Sequence, residues 1–100
     1  MIRGTTPTHT FMLPFDTKTI DKIKITYSQL DKIILTKSNK DITLNGKQAT
    51  IILTQQETFN FSEKNGPVSI QVRVVTTGGD VLASKIMTAG VGKCLDSEVL

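Results

Sequence analysis

A single cysteine, Cys94, rules out a disulfide within this chain, so packing and hydrogen bonds alone must hold the fold. Such a chain suits a reducing compartment. One histidine, His9, together with that cysteine cannot furnish the three protein ligands that even a catalytic zinc takes, and the scattered acids lack the spacing of a calcium loop. Neither a metal nor a cofactor is expected. Tryptophan is absent and tyrosine occurs once, so the core must be mostly aliphatic. Apolar runs never approach the roughly 18 residues of a membrane span, and the opening Met1 to Thr8 lacks the apolar centre of a signal peptide. No membrane association is expected. A length of 100 residues fits one domain.

What is present is alternation. Val68, Ile70, Val72 and Val74 fall at every second position with Ser69, Gln71 and Arg73 between them, the period of a strand with one buried and one wet face. Thr76-Thr77-Gly78-Gly79-Asp80 then supplies turn residues, with positive φ expected at the glycines, and the apolar run to Met87 returns antiparallel. His9, Phe11 and Leu13 mark a first strand that Pro14 ends. Ile20 to Gln29 predicts a half-exposed strand with Ile23, Ile25 and Tyr27 inward and Lys22, Lys24, Thr26 and Ser28 outward. After a break at Leu30-Asp31, Ile33 to Leu35 predicts the returning strand, and Ser38 to Asp41 a turn. Ile42 to Leu44 and Ala49 to Leu53 flank Asn45-Gly46, which predicts a type I′ hairpin. Thr54 with Glu57 has capping-box spacing for one helical turn. Phe59 and Phe61 are expected to plug the core where the chain crosses between sheets. The expected organisation is a flexible lead-in over 1–7, a single β-sandwich domain over 8–90 and a C-terminal tail over 91–100.

No catalytic constellation emerges. A nucleophile needs a base within hydrogen-bond reach, and His9 lies at the opposite end of the chain from Cys94. Gly78-Gly79 lacks the Lys and Ser/Thr of a phosphate-cradling loop and joins two strands. Binding is left. Net charge is +3; residues 1–50 hold eight basic and four acidic side chains, against four and five in residues 51–100. Lys22 and Lys24, with Lys32, Lys37, Lys40 and Lys47 near in sequence, form a candidate nucleic-acid surface, although no exposed aromatic accompanies them for base stacking. The competing reading is a solvated lysine face that protects strand edges. Out-of-phase apolar residues, among them Ile34, Ile52, Val75 and Leu82, call for cover by a second sheet or another subunit.

The segments Met1 to His9, Leu13-Pro14-Phe15-Asp16, Ile25 to Gln29, Leu53 to Phe59, Ile70 to Arg73 and Gly78-Gly79-Asp80 together resemble small proteins encoded in phages and prophages of Firmicutes. That resemblance implies a non-enzymatic virion component or accessory, of tail or baseplate type, made in the cytoplasm of the bacterial host and carried in the virion. It brings no catalytic or ligand residues. The expected fold is all-β, an antiparallel sandwich of about seven strands, immunoglobulin-like or related, with a small β-barrel as the competitor. The expected function is a structural or protein-interaction module whose partners are copies of itself or other virion proteins. A basic nucleic-acid-binding barrel is the alternative, and a carbohydrate-binding host-recognition module ranks third.

Overall fold

The alternation translates into strand ladders throughout the computed structural model, which describes residues 1–100. In chain order the elements are β1 (Thr8–Met12), β2 (Ile20–Gln29), β3 (Lys32–Ser38), β4 (Thr43–Asn45), β5 (Gln48–Ile52), α1 (Gln55–Phe59), β6 (Val68–Thr76), β7 (Val81–Ala83) and β8 (Met87–Ala89). Three strands form one sheet in the order β1-β5-β4, and the larger sheet runs β3-β2-β6, with β7 and β8 sharing the far side of β6. All strand pairs are antiparallel. Both sheets keep free edges, so the molecule is a sandwich and not a closed barrel.

The inner face of the larger sheet is built from cross-strand pairs. Ile23 faces Val74, Ile25 faces Val72 and Tyr27 faces Ile70, and each of these side chains is buried. Ala49, Ile51 and Leu53 oppose them from the smaller sheet, and Ile42 and Phe61 join from the connections. The molecule measures 46 × 27 × 17 Å. Its short dimension suits two sheets about 10 Å apart with their side chains between.

Eight strands stand where seven were expected, because the returning arm of the last hairpin is broken in two. Arg73 pairs with Ala83, but Ile70 pairs with Met87, so the register slips by one residue between β7 and β8. Ser84 makes the break tolerable: its N–H donates to Val72 O at 2.8 Å, and its Oγ accepts from Val72 N–H at 3.0 Å. A side chain thus satisfies a β6 amide that would otherwise lose its ladder partner.

Two turns differ from expectation. The β4–β5 hairpin turns at Gly46-Lys47, since Asn45 pairs with Gln48, and only Gly46 takes positive φ, at +58°. Glycine at the first central position is the mark of a type II′ turn. Had Asn45-Gly46 formed the turn, Lys47 would oppose Leu44; the shifted register gives Leu44 the small Ala49 instead. At the β6–β7 turn only Gly79 takes positive φ, at +90°, and its N–H donates to Thr76 O, giving a three-residue loop.

The one-turn helix α1 forms with the expected reciprocal cap: Thr54 Oγ1 accepts from Glu57 N–H at 3.1 Å, and the Glu57 carboxylate accepts from Thr54 N–H at 2.8 Å. Phe61 plugs the core, whereas Phe59 is only half-buried and packs against the lead-in. The lead-in is tied down. Arg3 donates to Phe59 O at 3.1 Å and stands over the Phe59 ring. The buried Thr58 hydroxyl accepts from Gly4 N–H at 2.9 Å and donates to Thr5 O. Ile2 and Gly92 form a parallel bridge, and the Gln55 side-chain amide pairs with the backbone of Leu100. The segments expected as loose ends therefore meet α1 and each other.

Candidate functional site

Four titratable groups converge around the inner face near α1. His9 on β1 and Tyr27 on β2 come from opposite sheets, and Nδ1 of the imidazole shares a 2.8 Å hydrogen bond with the phenol. Burial lowers the His9 pKa, and the positive N-terminal amine adds to the effect. Burial, followed by the Glu57 charge, raises that of Tyr27, keeping the phenol protonated. Lys37 points inward because it pairs with Ile25, and its ammonium meets the Glu57 carboxylate. Burial alone would raise the Glu57 carboxyl; the Lys37 hydrogen bond and the Thr54 N–H outweigh it and hold the carboxyl below its ordinary value. Every group in this cluster is partnered, and its chemistry is that of a satisfied polar plug between two sheets. Cys94 lies elsewhere, with its thiol donating to Asp96 O at 3.0 Å, and no three His, Cys, Asp or Glu side chains gather as a metal site would require.

On the outer face of the larger sheet the structure assembles a different group. Lys22 and Lys24 point outward as their phase predicts, and Lys24 stands directly across from Arg73 on β6. All three are exposed. Like charges directly opposed across a ladder destabilise it, typically by a few tenths of a kcal/mol to ~1 kcal/mol. Lys37 does not join them, since it is turned to the inner face, while Lys40 sits in the 3₁₀ turn Asn39–Asp41 and Lys47 in the β4–β5 turn. Arg73 was legible in its outward phase on β6, but its position opposite Lys24 depends on a register that neither segment encodes alone.

A third feature lies between the segment that follows β1 and the β6–β7 pair. Met12, Leu13, Pro14 and Phe15 line a groove of about 300 Å³ against Val72, Val74 and Leu82. Met12 and Leu82 are 69% and 42% exposed. Among the residues expected to need cover, Ile34 and Val75 are half-buried, whereas Ile52 remains exposed on the outer face of the smaller sheet.

Two antiparallel ladders enclosing an aliphatic core define the class: an all-β sandwich. The sequence matches no protein-family model and no curated protein. Among solved structures the chain is similar to the V domain of amphioxus IgVJ-C2, at 12% identity and a TM-score of 0.37 over 91% of this chain and 96% of that one. No helix is long and apolar enough to cross a membrane.

Proposed function

We propose that this chain is a non-enzymatic protein-interaction module that buries the open side of its sandwich against another protein, either a second copy or a larger partner. The observation that carries this reading is the apolar groove between the Met12–Phe15 segment and β6–β7. Water gains access there to side chains that continue the core. β1 and β7, in different sheets, each present unpaired backbone groups along a free edge, so a strand added to either one can satisfy that edge beside the groove. The resemblance to phage and prophage proteins agrees with such a role and suggests the setting, a tail or baseplate assembling in a bacterial cytoplasm.

Light scattering on the purified chain across a wide concentration range, alone and with co-expressed tail proteins, tests the proposal. Association is expected, and Leu82→Asp should abolish it while far-UV circular dichroism stays unchanged. A chain that remains monomeric throughout and binds none of those proteins would refute the reading.

A further inference from the structure

We infer that the outer face of the larger sheet binds the phosphate backbone of nucleic acid along a track centred on Lys24 and Arg73. This surface lies on the opposite side of the sheet from the apolar groove and does not depend on it.

Lys24 and Arg73 are direct cross-strand partners with Lys22 two residues along β2, and none of the three has an ion-pair partner. Among the basic side chains only Arg3 and Lys37 are matched to a glutamate, so what sets these three apart is their clustering on one face of paired strands. Between Lys22 and Ser28 the outward residues of β2 and their partners on β3 and β6 are Lys, Arg, Thr, Ser, Gln, Val and Ile. None carries a carboxylate. The set is dominated by the side chains that contact phosphate oxygens in protein–nucleic acid complexes. Two hollows of about 400 and 250 Å³ lie along these strands, and Arg73 lines both. The first is bordered by Ser38 and the second by Thr26 and Gln71, so neutral donors continue the surface beyond the cations. From Lys22 to Ser28 the track runs about 20 Å at roughly 3.3 Å per residue. Donors spread along such a length suit a polymer of regularly spaced anions better than a single acidic spot. No aromatic stands on it, so bases are not stacked and binding is independent of sequence.

The test is fluorescence anisotropy of labelled oligo-dT and of a mixed-sequence duplex of equal length, titrated with the whole chain at several salt concentrations. Binding to either supports the inference, and their relative affinity distinguishes single-stranded from duplex ligand. Lys24→Ser combined with Arg73→Ser should weaken binding about tenfold and make the slope of log affinity against log salt shallower by about two. Lys47→Ser combined with Lys64→Ser, which removes the same charge elsewhere, should change affinity less than about twofold if contact is local. The face variant should melt no lower than the parent, since it relieves a like-charge pair. Three results would each overturn the assignment: no binding of either oligonucleotide at low salt, equal loss in both double variants, or equally tight binding of polyglutamate, which would mark an acidic-protein surface.

Discussion

Tyr27 is fully buried, and His9 is the one side chain that satisfies its hydroxyl. Replacing His9 with Phe keeps a ring against Phe11 and Tyr27 but strands a buried donor, so His9→Phe should lower unfolding free energy by about 1–3 kcal/mol in urea titrations. Removing the donor as well, with Tyr27→Phe, should recover part of that loss. Gly4 poses a different single-residue constraint. Its φ is +76°, and a Cβ there would sit 2.5 Å from Phe59 Cζ. Gly4→Ala should therefore loosen the N-terminal arm, read as faster hydrogen exchange at the Arg3 and Gly92 amides. Trimming the ring with Phe59→Leu should relieve the clash but not the backbone strain.

The β2–β3 hairpin turns through Leu30 and Asp31, both at positive φ (+49° and +60°). This is the backbone of a type I′ turn, which Asp31 tolerates but Leu30 does not suit, and a left-handed residue such as leucine costs roughly 1 kcal/mol or more. Leu30 is 72% exposed, so little packing would be lost on replacing it. Substituting Asn-Gly for Leu30-Asp31 should stabilise the chain by about 1–2 kcal/mol, visible as a higher urea midpoint with an unchanged slope. The long loop after α1 is held by another device. Gln29, buried at the end of β2, donates to Ser62 O and Gly66 O and accepts from Ser62 N–H. Its placement in the outward–inward alternation was legible; its use as a three-bond staple was not, because the bonded partners lie more than thirty positions away.

For the whole molecule, His9 and Glu57 make stability depend on pH in the same direction. Both bind protons more weakly in the folded chain than in the unfolded one, so acid favours unfolding. The first loss begins as pH falls below about 6.5, where the unfolded-state imidazole protonates, and is complete once pH passes the lowered folded value. The second begins below about 4.5, when the unfolded-state carboxyl at position 57 protonates before the folded one. Thermal midpoints measured from neutral pH downward should fall in both windows; His9→Asn should flatten the upper window and Glu57→Gln the lower. Only 15 of the 100 residues are buried, so a core this thin leaves such terms a large share of the total.

What the sequence determined by itself is the first six strands, the inward phase of β2 and β6 and the cap of α1, because these follow from neighbours two to four positions apart. Val68, Ile70, Val72 and Val74 needed no partner to declare their common face. Tertiary structure decided the rest: the Gly46-Lys47 turn, the slip between β7 and β8, the inward Lys37, the anchoring of residues 1–5 and the meeting of Lys24 with Arg73. The physical reason is that register across a sheet is chosen by the joint packing of strands distant in sequence, and a shift of one residue on either strand would pair different side chains and turn one strand's faces over.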